Sequence, residues 1–289
     1  MSSSLQSLPR PTKTYHAHTY DRIAKHHGFI GRGKTVLITG GAGGVGLSIA
    51  QAFAAAGVAR IAIVSRSPDA QAKAKAELEA AHPSVQVLTY STSVTDGTRL
   101  SEILLELGTI DVLVLNAAVT HRQVPSIEIT EDVVRDTFDI NVVTTFNLTK
   151  AFLCMPRQGQ GQSDPRTVIY VSSAVTQISG RCVAYASSKA AGSQMMQQFA
   201  ADVSPEEVRI FAVHPGIVYT PGAAQMYPRE AMEWEDLDVP GHFALWLAGP
   251  ESGFLHGRYL WAQWDVDELL ALRERVEKDP SFLKIGLVL

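Results

Sequence analysis

The sequence predicts an α/β fold: a doubly wound parallel sheet with helices on both faces, in a single domain. Three observations predict it. Short, nearly all-apolar runs recur along the chain and alternate with segments of helical period, the pattern of strands buried on both faces. The first run, Val36-Leu37-Ile38, leads directly into Thr39-Gly40-Gly41-Ala42-Gly43-Gly44-Val45-Gly46 and then into helix formers from Leu47 to Ala54, which reads as strand, tight turn and helix. The chain has 289 residues, 46% of them hydrophobic, enough for one large core.

The elements follow in order. Residues 1–33 form an arm with prolines at 9 and 11 and no clear period, and residues 34–289 form the domain. The first helix ends at Ala54-Ala55-Ala56, with Gly57 placed as its C-terminal stop. Arg60–Val64 is the second strand. Ser67-Pro68-Asp69 opens a helix that runs to Ala81, where His82-Pro83 stops it. Val85–Thr89 is the third strand, Asp96–Leu107 a helix and Asp111–Asn116 the fourth strand. A helical region over 130–152 carries a break at Asp139-Ile140-Asn141, and residues 157–165 form a polar loop. Val168–Val171 is the fifth strand, Tyr185–Val203 a long helix and Arg209–Val213 the sixth strand. Phe243–Leu247 lies in a further helix, Arg258–Trp261 is the last strand and Glu268–Glu277 a charged helix. In such a sheet ligands bind beyond the carboxyl ends of the strands, so chemistry is expected just after Ile38, Val64, Leu115, Val171 and Val213.

The totals exclude several classes. A net charge of −4 and a pI near 6.1 give no electrostatic basis for nucleic acid or an anionic membrane. No apolar run reaches a membrane span, and the N-terminus lacks the centre of a secretory signal, so a cytoplasmic protein is expected. Two cysteines, Cys154 and Cys182, suggest neither a disulfide framework nor a zinc site. His16, His18, His26 and His27 have no carboxylate or thiol at ligand spacing, so no metal is expected.

Glycines allow positive φ and close approach of a ligand, and the free N–H groups of the helix that starts near Gly44 point at the space above the strand. On the second signal, Tyr185-Ala186-Ser187-Ser188-Lys189, a phenol and an ammonium sit one helical turn apart. A nearby ammonium favours the phenolate, so the pair makes a proton donor and acceptor usable near neutrality. Ser172-Ser173 ends the fifth strand, where a hydroxyl can reach a substrate oxygen. Asn141 lies among Phe138, Ile140, Val142 and Val143, where a carboxamide needs partners.

Thr39-Gly40-x-x-x-Gly44-x-Gly46, Asn141, Ser172-Ser173, Tyr185-x-x-x-Lys189 and Pro215-Gly216-x-Val218-x-Thr220 occur in the order seen in short-chain dehydrogenases/reductases, and the resemblance covers residues 34–265. The ending, from Gly257 to Leu269, resembles a fungal branch of that family. The resemblance implies a Rossmann-like fold and hydride transfer between a nicotinamide and a carbonyl or alcohol. It implies that Tyr185 is the general acid in reduction, that Lys189 holds the nicotinamide ribose and depresses the phenol pKa, and that a serine polarises the carbonyl. It also implies that Asn141 positions a water linking Lys189 to solvent. The family's serine is the second of its pair and thirteen residues before the tyrosine. Here Ser173 is second and Ser172 has that spacing; Ser173 is favoured, because strand register is harder to change than loop length.

The implied cofactor residues are Thr39, Gly40, Gly44, Val45, Gly46, Ser65, Arg66, Ser67, Ser93, Asn116, Ala117, Tyr185, Lys189, Pro215, Gly216, Val218 and Thr220. After the second strand a carboxylate would select NAD; this chain has Arg66 between two serines, which favours NADP. Leu115-Asn116-Ala117-Ala118 departs from the family's Asn-Asn-Ala-Gly, and Ser93 stands where an Asp is frequent. Residues 220–239, with Met226, Tyr227, Met232, Trp234 and the acidic Glu230, Glu233, Glu235 and Asp236, are where substrate is enclosed, with His121, Arg122, Gln177 and Tyr219 as further wall candidates. The expectation is an NADP(H)-dependent ketone reductase for a medium-sized, partly apolar substrate, working as a homo-oligomer, dimer or tetramer. The alternative is an NADP-binding scaffold without hydride transfer.

Overall fold

The structure, a computed structural model, describes residues 8–156, 164–178, 180 and 182–286. Most of the expected polar loop over 157–165 lies outside the described residues. The elements run α1 (Asp21–Lys25), β1 (Thr35–Thr39), α2 (Gly44–Ala55), β2 (Arg60–Ser65), α3 (Pro68–Ala81), β3 (Gln86–Ser91), α4 (Gly97–Leu107) and β4 (Val112–Leu115). They continue with α5 (Glu131–Phe138), a π turn (Asp139–Val143), α6 (Thr144–Cys154), β5 (Arg166–Val171), α7 (Val183–Asp202) and β6 (Val208–His214). The last are α8 (Pro221–Ala224), α9 (Asp238–Ala248), β7 (Tyr259–Trp261), α10 (Val266–Ala271) and α11 (Arg273–Lys278).

All seven strands pair in parallel in the order β3-β2-β1-β4-β5-β6-β7. The order reverses between β1 and β4, and that switch point opens a crevice at the carboxyl edge. β1 and β4 are buried along their whole length, as apolar runs covered by helices on both faces must be. Helix starts follow local chemistry: Ser67 and Asp96 cap α3 and α4 by accepting from Ala70 N and Arg99 N. Gly57, at φ +74°, stops α2.

Several segments differ from expectation, β5 and α7 among them, each beginning two residues early. β3 begins one residue later and runs two further. The charged helix over 268–277 is two pieces, because Leu272 at ψ 2° bonds back three residues to Leu269 rather than four. The arm, read as having no clear period, carries the short helix α1, whose Ile23 is buried while Arg22 pairs with Glu251 and Asp267. His16 pairs with Asp265 and stacks on Tyr20 at 3.6 Å. No helix among the described residues is long and apolar enough to cross a membrane.

Candidate active site

A cleft of about 650 Å³ opens at the carboxyl ends of β1, β2, β4, β5 and β6. Its floor is the glycine turn. Gly40 and Gly44 hold φ of +67° and +54°, conformations that other residues adopt at a cost. A Cβ on Gly46 would stand 2.4 Å from the Gly40 carbonyl oxygen and 2.6 Å from Asn116 Nδ2. α2 has no side-chain cap at Gly43, so its first N–H groups face the cleft beside Val45. Thr39 and Gly46, expected among the ligand contacts, do not line this cleft. The Thr39 hydroxyl accepts from Asn116 N and Ala117 N at 3.0 and 3.1 Å, while Asn116 Nδ2 donates to the carbonyls of Thr39 and Gly40 at 3.0 and 3.2 Å. These residues lash the β1 and β4 exits together and shape the cradle, and Asn116 and Ala117 also border it.

At the β2 exit, Ser65, Arg66 and Ser67 line the cleft. Arg66 is exposed and forms no ion pair among the described residues. Ser65 Oγ is buried without a hydrogen-bond partner, and the Ser67 hydroxyl is engaged by Ala70 N. Ser93 borders the same end, its hydroxyl held in a turn with Thr95.

A phenol, an ammonium and two hydroxyls gather in the lining of the same cleft. α7 carries Tyr185 and Lys189 on one face. Lys189 is buried; its Nζ donates to the Val171 carbonyl at 2.7 Å and stands 4.9 Å from the Tyr170 ring centroid and 5.9 Å from that of Tyr185. Burial pushes its pKa down to about 7. Ser173 and Tyr185 both line the cleft, and the Ser173 hydroxyl accepts from Val175 N at 3.4 Å. The sequence leads one to expect a phenol pKa lowered by the ammonium. Instead burial raises it, with the Ser173 hydroxyl opposing. The lysine cannot offset this, since its Nζ is aimed at Val171 and its own charge is only partly present near neutrality.

Ser172 is placed differently. Its hydroxyl is buried and donates to Ser193 Oγ at 2.7 Å, the Ser193 proton being given to the Lys189 carbonyl. Of the pair, Ser173 is the one brought to the phenol; Ser172 pins β5 to α7. Asn141, in the π turn, is also a brace. Its Nδ2 donates to the Val119 carbonyl and to Ser188 Oγ, both at 2.9 Å, and its Oδ1 accepts from Val119 N at 2.9 Å. Both amide donors are thereby taken by protein, and Oδ1 keeps one lone pair beyond its bond from Val119 N.

Gly216 at φ +109° lets the chain turn after β6; a Cβ there would meet Gln263 Nε2 at 2.1 Å and Glu235 Oε2 at 2.5 Å. Pro215, Val218 and Thr220 line the cleft with it, and Thr220 caps α8. Glu235, expected in the segment that encloses substrate, is buried and accepts from Ile217 N at 2.8 Å. A second cavity of about 720 Å³ adjoins the cleft, sharing Arg66 and Ala118 with it, and takes in His121, Arg122, Met226 and Tyr227. Tyr219 and Trp234 pack edge to face at 4.9 Å, and neither they nor Met232 and Gln177 line either cavity.

Two supporting residues were not read from the sequence as functional. His214, held neutral by burial with its pKa near 3, accepts from Ala174 N at 3.1 Å and so fixes the turn that presents Ser173. Tyr170 lays its ring beneath Lys189. An aromatic residue in a strand two positions before the serine pair is the signal that could have found it; for His214 no signal distinguishes it from a strand end.

The cradle fits a dinucleotide: an open glycine turn at a helix N-terminus for a pyrophosphate, an unpaired arginine at one end, and a phenol, ammonium and hydroxyl at the other. A family profile described as short chain dehydrogenase matches residues 34–231. The chain is 58% identical to the short chain dehydrogenase/reductase AacuD of Aspergillus aculeatus, over 99% of each chain. It is 59% identical to the short chain dehydrogenase/reductase nsrO of Aspergillus novofumigatus, again over 99% of each. Among solved structures, a short chain dehydrogenase from Burkholderia cenocepacia in complex with NADP superposes with a TM-score of 0.69 at 23% identity, covering 81% of this chain and 97% of its own.

Proposed function

The chain belongs to the short-chain dehydrogenase/reductase family, and on that premise we propose that it is an NADP(H)-dependent ketone reductase. The observation that carries the reading is the gathering of Ser173, Tyr185 and Lys189 in the lining of one cleft floored by the glycine turn. Bound nicotinamide would supply the hydride. The N–H groups of α2 would hold its pyrophosphate, Arg66 a 2′-phosphate, and Lys189 the ribose hydroxyls. As the carbonyl carbon is reduced, negative charge grows on its oxygen, and Ser173 donates a hydrogen bond to that oxygen. Tyr185 then transfers its proton there. A phenol whose pKa is raised stays protonated at neutral pH, which suits a donor and favours the reductive direction.

The substrate would enter through the cavity lined by His121, Arg122, Met226 and Tyr227, whose mixture of apolar and polar walls suits a medium-sized, partly apolar ketone. Val143 and Phe146, at 48% and 41% exposure on the π turn and α6, offer apolar surface for a second copy, and we assign a homo-oligomer. Free Cys154 and Cys182 agree with the cytoplasm. The test is loss of NADPH absorbance on mixing with a panel of ketones, run beside Tyr185→Phe. Coenzyme binding without oxidation by any ketone would instead support a scaffold.

A further inference from the structure

The arm reaches the back of the turn that borders the cleft through two adjacent residues, Tyr15 and His16. The Tyr15 hydroxyl donates to Glu235 Oε1, and the other carboxylate oxygen of Glu235 accepts from Ile217 N at 2.8 Å. Glu235 N returns a hydrogen bond to the Ile217 carbonyl at 2.8 Å. His16 N donates to the Gln263 carbonyl at 2.8 Å, and Gln263 Nε2 donates to the Pro215 carbonyl at 3.0 Å. Glu235 and Gln263 therefore grip the peptides on either side of Gly216, and the arm holds both grips. Glu235 is 6% exposed and Gln263 fully buried, so water cannot replace these bonds. Tyr15, Glu235 and Gln263 all lie outside residues 34–231, the span the family profile matches, yet relatives at 58% identity align over the whole chain.

We infer that the arm is a strap for the coenzyme wall: Tyr15 and Glu235 are positioning residues that hold the Pro215-Gly216-Ile217 turn in its coenzyme-binding shape. The inference rests on reading the cleft as a dinucleotide site. The strap also fixes the far end of the segment that follows Thr220, because the chain re-enters the core at Glu235 and Asp236, where Asp236 N donates to the Ala17 carbonyl at 2.8 Å. Glu235→Ala removes both bonds. Glu235→Gln retains them, since the amide oxygen accepts from Ile217 N and the amide nitrogen donates to the Tyr15 oxygen. Tyr15→Phe removes only the arm's bond.

The experiment measures NADPH and NADH dissociation constants by calorimetry, with melting temperatures, for the full-length protein and these three variants. Glu235→Ala is expected to weaken coenzyme binding roughly tenfold and Tyr15→Phe roughly threefold, with Glu235→Gln within about twofold of the parent. Variants that melt earlier but bind coenzyme like the parent overturn the strap and leave the site reading intact. If Glu235→Ala fails to fold, Tyr15→Phe decides by the same criterion. A parent protein that binds neither coenzyme overturns the site reading itself, and the strap with it.

Discussion

Lys189 donates its ammonium to the main-chain carbonyl of Val171 at 2.7 Å, tying α7 to the strand that ends in the serine pair. That bond sets the serine and the phenol in register, and it is made by a side chain with no carboxylate partner among the described residues. Burial holds the lysine at about 7, against 10.5 in an open chain. Between those values the unfolded chain carries more protons, so stability rises with pH across the window and is lost as pH falls toward 7. The melting temperature of the coenzyme-free protein is expected to climb from pH 7 to pH 10, and Lys189→Met should flatten that climb. An equal climb in both proteins rules the assignment out.

The two serines should separate cleanly. Ser173→Ala is expected to lower kcat by roughly a hundredfold with little change in melting temperature, as loss of one donor to a developing oxyanion does. Ser172→Ala should leave kcat near that of the parent while costing about 1 kcal/mol of stability through its bond to Ser193. Steady-state kinetics beside denaturant melts checks both, and the reverse pattern would move the role to Ser172.

Tyr185→Phe is expected to reduce kcat by about a thousandfold and leave coenzyme affinity nearly unchanged, because the phenol acts on the proton. With its pKa raised by burial, reduction should hold level through neutral pH and decline only where the phenol ionises, while alcohol oxidation rises with pH. Rate profiles in both directions are the measurement. A reduction rate that falls from pH 6 to 8 contradicts this.

Arg66→Ala should weaken NADPH by about tenfold to a hundredfold and leave NADH almost untouched, the size of one charge-assisted contact to phosphate. Titration of each coenzyme against parent and variant reads this directly. Tighter NADH than NADPH in the parent would dismiss the arginine's role.

Much of this was legible in the sequence because local chemistry and tertiary placement agree. The apolar runs, the glycine turn, the stop at Gly57 and the opening at Ser67-Pro68 each fix their element without help from distant residues. The break at Asn141 was legible too, since a carboxamide amid apolar residues marks a disturbed helix; that it brackets the Val119 backbone was not, for the partner is 22 residues away. The burial of Glu235 was hidden for the same reason. Its environment is made by Tyr15, 220 residues earlier, and nothing in the acidic run Glu233-Trp234-Glu235-Asp236 distinguishes one member from the next. The phenol's pKa reversed its expected direction because sequence spacing reveals the neighbour's charge but not the depth at which both groups sit.

The crowding at Gly46 has an evolutionary consequence. A carbonyl oxygen and an amide nitrogen occupy the space that a Cβ at this position would need, which closes it to larger residues, and the same amide holds the Gly40 carbonyl. Adaptation to another nucleotide is easier at the opposite rim, where Arg66 and Ser67 are exposed and Ser93 is half-buried. A library randomised at both rims should return working clones diversified at the second and monotonous at the first.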